Sequence, residues 1–170
     1  YKAGNSRTLI TLPHEICAAM YCEEKTWGQC ICSCTEKLEE FWDSFSRHPC
    51  MTGHIAKRCS NWKKTVIPIM LHGDEVPITG IGKVWSRSCL SFNWTSLIAH
   101  GLGGTVHDIV FYIWGVFEKF VVATMGASLG TMETFFKIMA WSFEAMFKGE
   151  WPECDWRGTK KLAYKTYTSF

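Results

Sequence analysis

The sequence predicts a mixed α+β chain. Residues 66–71 form a short run of β-branched and aliphatic side chains bounded by turn formers, which marks a strand. Leu90, Phe92 and Trp94 alternate with Ser91, Asn93 and Thr95, the period of a strand with one face covered. Three further stretches repeat their apolar residues every three or four positions, the period of a helix. The expected fold is an antiparallel β-hairpin, about residues 65–75 and 88–98, packed with an αα-hairpin, about 105–125 and 131–148. N-terminal helices precede it. Residues 1–64 form a helical, cysteine-rich part, and residues 65–170 hold the strands and the helical pair.

The elements follow in order. Residues 1–10 are polar and expected to fray. At Thr11-Leu12-Pro13-His14-Glu15 a helix can begin, since proline suits a first turn and glutamate its positive end. That helix should end before Trp27-Gly28. Ser33-Cys34-Thr35-Glu36 has capping-box spacing. Leu38, Phe41, Trp42 and Phe45 then form one apolar stripe, with Glu39, Glu40 and Asp43 on the other face, so a helix is expected over 34–46. His48-Pro49 stops it. Residues 47–64 read as a loop or short helix with basic residues.

Next comes the first strand, read as buried, with Pro68 favouring an edge or first position because proline cannot donate to a ladder. Asp74 falls where this strand runs out. Residues 76–87 make the hairpin loop, and 88–98 the second strand. Thr105-Val106-His107-Asp108 resembles another capping box. Val106, Ile109, Val110, Ile113, Phe117, Phe120 and Val121 follow at helical spacing. Gly126 and Gly130 end that helix and Thr131 caps the next. Met132, Phe135, Phe136, Met139, Phe143, Met146 and Phe147 continue the pattern, and Gly149 and Pro152 close it.

Composition narrows the function classes. The chain has 170 residues and is 47% hydrophobic, with eleven Phe and nine Trp. That is enough for a packed core and argues against disorder. The formal net charge is +2, so there is no global polyanion-binding signature. Lysine and arginine nevertheless cluster at Lys57, Arg58, Lys63 and Lys64, and again at Arg157, Lys160, Lys161 and Lys165. Each cluster suits phosphate or a solvated face, so DNA is a partner the charge allows. Residues 109–117 are too few for a membrane span. No cationic segment followed by an apolar run opens the chain, so secretion is not expected and Asn93-Trp94-Thr95 is a chance sequon. Tyr1 in place of Met, and a C-terminus without a closing signal, lead to the expectation of a piece of a longer reading frame.

Four constellations could carry chemistry. Cys50-x3-His54-x4-Cys59, with Cys30, Cys32 and Cys34 upstream, offers zinc its preferred donors, but the spacing lacks paired C-x2-C units. Zinc is not expected. No nucleophile elbow or Cys/His signature is present. Gly101-Leu102-Gly103-Gly104-Thr105 precedes a helix start, yet it lacks the P-loop lysine and the dinucleotide spacing. The fourth is Asp74, a carboxylate that a sheet holds at the mouth of a cleft, or an ordinary turn aspartate after Gly73. Alone it cannot hold two metal ions, because two-metal phosphoryl transfer needs several converging acids. Glu75 points to the other side if the strand continues. Asp108, Glu153 and Asp155 have no spacing that singles them out.

Several blocks carry a resemblance. Leu12-Pro13-His14-Glu15, the run Ile67-Pro68-Ile69-Met70-Leu71-His72-Gly73-Asp74-Glu75-Val76-Pro77-Ile78-Thr79-Gly80, and Phe92-Asn93-Trp94-Thr95-Ser96-Leu97 are three of them. Thr131-Met132-Glu133-Thr134, Trp141-Ser142-Phe143, Gly149-Glu150-Trp151-Pro152 and Asp155-Trp156-x-Gly158 are the others. Together they resemble a multicopy family of uncharacterised dinoflagellate proteins that looks transposon-derived, similar to DDE-type recombinases with an RNase H-like core. The resemblance covers most of the chain, and the His-Gly-Asp-x-Val-Pro block is its most specific part. It implies an incomplete RNase H-like core over 65–170, with Asp74 as the first catalytic, metal-binding acid at the end of the first core strand. The second strand would be its antiparallel partner. It further implies Mg2+ held only with acids beyond Phe170, a need for the remainder of a longer chain, and a nuclear or otherwise intracellular location. One departure is Tyr164 after Leu162-Ala163, where the family carries a glycine pair, and it supports a truncated or decayed copy. The alternative function is a non-enzymatic nucleic-acid or protein interaction module.

Overall fold

A computed structural model describes residues 8–78, 88–100, 109–126 and 128–160. Helices α1 (Pro13–Tyr21), α2 (Glu24–Cys30) and α3 (Thr35–Phe45) come first. Two 3-10 turns, Pro49–Met51 and Ile55–Arg58, lead to the short α4 (Trp62–Thr65). Strands β1 (Ile69–Pro77), β2 (Ser88–Ser96) and β3 (Phe111–Phe117) follow, then a 3-10 turn at Glu118–Phe120 and the long α5 (Thr131–Lys148). The strands form one antiparallel sheet in the order β1-β2-β3.

The chain divides into two compact units, each built from separated segments, whereas the sequence division at residue 64 is into contiguous parts. The first holds Tyr1–Ala19, Gly73–Phe92 and Tyr112–Phe170; the second holds Met20–His72 and Asn93–Phe111.

In the first unit, α5 buries Phe135, Met139, Ser142 and Ala145, a stripe at helical spacing. Phe135 lies 4.4 Å from the Phe92 ring and 5.1 Å from Trp114. Phe136 and Phe147, counted in the expected stripe, are exposed. The helix starts after Gly130, not at a Thr131 cap. Thr131 instead exchanges bonds with Val122: its N–H donates to the Val122 carbonyl and its Oγ1 accepts the Val122 N–H, both at 2.9 Å. A Cβ at Gly130 would meet the backbone of Thr124 and Val122 at 2.7 Å, so the close approach requires glycine. At the far end Gly149 has φ 67°. Its N–H reaches Met146 O and the Glu150 N–H reaches Ala145 O, the paired bonds of a Schellman cap.

In the second unit, α3 turns Leu38 and Trp42 inward onto Met51 and Ile98. Val66 and Ile67 pack against this cluster, and Trp42 Nε1 donates to the Val66 carbonyl at 2.7 Å. Ser96 Oγ donates to the Ile31 carbonyl at 2.5 Å, and the His100 N–H to the Gln29 carbonyl at 2.9 Å. The N-cap of α3 is Cys34, in extended conformation and without a side-chain cap, so the Ser33 capping box does not form.

Two expectations are corrected, and one element is added to those expected. The αα-hairpin is absent from the described residues. Of its first helix, residues 105–108 lie outside them, and the rest contains β3 and a 3-10 turn. The stripe fitted a helix because Phe111–Phe117 is apolar almost throughout, and a run covered on both faces has no distinctive period. Adjacent Ile113 and Trp114 are both buried, at 0% and 3% exposure. Gly115 disfavours a helix, and aromatic and β-branched side chains favour the strand beside β2. The first helix ends at Tyr21, before Trp27-Gly28 as expected, but a further helix that the sequence did not suggest, α2, contains those two residues. The second correction concerns β1, which runs over Ile69–Pro77 rather than 65–75 and is not buried. Ile69 is half-buried and the other eight residues are exposed. The apolar residues that suggested a buried strand, Val66 and Ile67, lie before it and fill the second unit's core.

Candidate functional site

Two contacts fix how β1 meets β2. The Leu97 N–H donates to the Pro68 carbonyl at 2.9 Å. A Cβ at Gly73 would stand 2.7 Å from Cε1 of the Phe92 ring, so Gly73 faces Phe92 across the strands and only glycine leaves room for that ring. Both contacts belong to one register, in which Met70, His72 and Asp74 aim their backbone groups at β2. Leu71, Gly73 and Glu75 aim theirs at the outer edge. Side chains alternate. Gly73 therefore shares the face where Phe92 meets Phe135, and Asp74 points to the opposite face.

Asp74 is exposed, and its Oδ1 accepts the Glu75 N–H at 2.8 Å. That bond occupies an outward amide that no strand pairs among the described residues. Glu75 points away from Asp74, as strand alternation requires. The expected place at the strand's end is corrected, since β1 continues through Pro77. The strand begins later than its apolar run, so its frame shifts and Asp74 lies in the body of β1.

The two edges of the sheet differ. Along β3, the Thr11 N–H donates to the Ile113 carbonyl at 2.9 Å and Trp114 Nε1 to Thr8 Oγ1 at 3.0 Å. The N-terminal segment thus covers part of that edge. Along β1, Asp74 Oδ1 accepts the outward N–H of Glu75.

Magnesium requires about six oxygen ligands at close to 2.1 Å. Asp74 offers one carboxylate, and one of its oxygens already accepts an amide. Among the described residues no three His, Cys, Asp or Glu side chains converge as metal ligands. The residues present do not fit a magnesium site. Asp108 and the glycine run 101–104 lie outside the described residues. Glu153 and Asp155 line a cleft of about 400 Å³ beside the end of α5, with Glu144, Glu150, Trp141 and Trp151. Asp155 is engaged in a turn, where Oδ1 accepts the N–H groups of Arg157 and Thr159, both at 2.9 Å.

The basic residues before β1 are partly neutralised. Lys63 pairs with Asp43, and Lys64 lies 3.2 Å from Glu39. Both acids belong to the polar face of α3, a partnership that sequence spacing did not reveal. Lys57 and Arg58 stay exposed. Arg157 lies over the Trp156 ring at 4.7 Å, and Lys161 and Lys165 lie outside the described residues.

Cysteine chemistry is spread rather than gathered. Burial pushes the Cys17 thiol up to about 11. Burial and then the neighbouring Cys34 push Cys32 up, and both effects favour the thiol over the thiolate that zinc binds. His54, a zinc-donor type in a spacing from which zinc is not expected, uses Nδ1 to accept the Ala56 N–H at 3.2 Å.

Sequence reasoning missed one constellation. His14 and Ser142 are fully buried, with Nδ1 and Oγ 2.8 Å apart. Oγ also accepts the His14 N–H at 3.3 Å. Trp141 and Trp151 set their rings edge-on to the imidazole at 5.0 and 5.4 Å, and Trp141 Nε1 donates to the Cys154 carbonyl at 3.1 Å. The resembling blocks 12–15, 141–143 and 149–152 thus meet around one buried histidine. The serine–histidine pair is closed to solvent and packs within the first unit. No helix among the described residues is long and apolar enough to cross a membrane. No family model matches the chain, nor does any curated protein or solved structure.

Proposed function

We propose that this chain is a portion of a transposon-derived DNA recombinase of the DDE type and does not cleave DNA by itself. The observation that carries the reading is Asp74, exposed on an edge strand that β2 pairs on one side. A further strand joined to the outer edge of β1 extends the sheet and brings its own side chains beside Asp74. Converging carboxylates are what metal-dependent phosphoryl transfer needs, and the family resemblance implies that such acids lie beyond this chain. Lys57 and Arg58 remain for phosphate, outside the ion pairs of Lys63 and Lys64.

The test compares this chain with the whole reading frame that contains it, in Mg2+ or Mn2+, on labelled DNA. The chain alone is expected to leave DNA intact. The whole frame is expected to cleave it, with Asp74→Asn lowering the rate at least about 1,000-fold, as loss of a catalytic group does. Cleavage by the chain alone, lost in Asp74→Asn, would mean the acid set is already complete. Cleavage by the whole frame that ignores Asp74→Asn would remove the residue from the chemistry.

A second reading is a non-enzymatic interaction module. Met70, Leu71 and Val76 are exposed along β1, and apolar side chains on an open backbone edge suit strand addition by a protein partner.

A further inference from the structure

Two 3-10 turns of the second unit begin alike, each capped by a histidine. His48 Nδ1 accepts the Cys50 N–H at 3.3 Å, and His54 Nδ1 accepts the Ala56 N–H at 3.2 Å. A ring nitrogen that accepts an N–H carries no proton, so in the neutral ring the proton sits on Nε2. The cap thereby turns the basic nitrogen toward the residue two positions on. At the second turn that residue is alanine. At the first it is a cysteine, whose Sγ lies 2.9 Å from the same Nδ1. His48 and Cys50 are both exposed, and the Phe45 ring lies 5.5 Å from the imidazole. An S–H aimed at an unprotonated imidazole is the arrangement in which a base takes the thiol proton as sulfur attacks.

We propose that Cys50, with His48 as its base, is a modification site for soft carbon electrophiles of the α,β-unsaturated carbonyl class. The Sγ–H bond breaks and its proton passes to Nδ1. Sγ bonds to the β-carbon, and the C=C electron pair moves toward the carbonyl as an enolate. The imidazolium returns the proton to the α-carbon. The net change is addition of S–H across C=C, with no external oxidant or reductant.

The molecule contains its own reference. Cys22 is also exposed and has no such imidazole bond among the described residues. Cys17 and Cys30 are buried. The experiment treats the intact chain with limiting N-ethylmaleimide and follows each cysteine peptide by mass spectrometry. Cys50 is expected to react at least about 100-fold faster than Cys22, the low end of general-base assistance. In His48→Asn the side-chain oxygen still accepts the Cys50 N–H, as asparagine does in caps and turns, but it takes no proton. The ratio is then expected to fall to about one while Cys22 reacts as before and the circular dichroism is unchanged. Equal rates in the unaltered chain, or a ratio that survives His48→Asn, would overturn the assignment.

Discussion

Phe135→Ala is expected to destabilise the first unit by about 3–5 kcal/mol, the usual cost of emptying a large aromatic site in a core. Phe135 is 1% exposed. Its ring touches Phe92 at 4.4 Å and stacks on Trp114 at 5.1 Å, so it joins α5 to the sheet. Phe92 also lies against Gly73, where an added Cβ would come within 2.7 Å of its ring. The neighbours therefore have little room to collapse into the cavity, which places the cost toward the upper part of that range. Phe136→Ala is the control. That side chain is 48% exposed, and its loss is expected to cost about 1 kcal/mol. Urea unfolding followed by tryptophan fluorescence checks both, and equal shifts for the two variants would show that the core had been assigned to the wrong side of α5.

Trp42→Ala is expected to cost the second unit a similar amount, about 3–5 kcal/mol. Trp42 is 5% exposed, packs in one cluster with Leu38, Met51 and Ile98, and meets the Trp62 ring at 5.1 Å. Trp42→Phe separates packing from hydrogen bonding. It keeps most of the apolar volume and removes the donor to the Val66 carbonyl. The expected loss is about 1–3 kcal/mol, the cost of stranding a shielded acceptor. That bond ties the core to the residues just before β1, so Trp42→Phe is also expected to speed amide exchange around residues 66–68. A Trp42→Phe variant as stable as the original would mean that water serves the carbonyl equally well.

The parts of this fold that were legible in the sequence are those with one face covered. Leu38, Phe41 and Trp42 gave α3 its period because Glu39, Glu40 and Asp43 stay outside, and Gly149 marked the end of α5, whose N-cap is Gly130 rather than the expected Thr131. The alternation around Phe92 found β2. The chain at 109–120 was misread because Ile113 and Trp114 are both covered, which removes the alternation that distinguishes a strand. Asp74 was correctly placed on a strand beside β2. Its position along that strand was misjudged, because Val66 and Ile67 look like strand residues yet belong to the core around Trp42. Ion pairs such as Lys63 with Asp43 join residues far apart in sequence, and only the fold reveals them. The His48–Cys50 pair is local, and a histidine two residues before a cysteine at a proline turn was a signal available from the start.

The central claim is that β1 carries Asp74 along an edge that no other strand pairs among the described residues. Hydrogen exchange of individual amides, read by NMR, tests it most directly. Slow exchange is expected at Met70, His72 and Asp74, whose N–H groups face β2, and fast exchange at Leu71 and Gly73, whose N–H groups face outward. Protection of both sets would show the edge already covered, and protection of neither would show that β1 is not a strand.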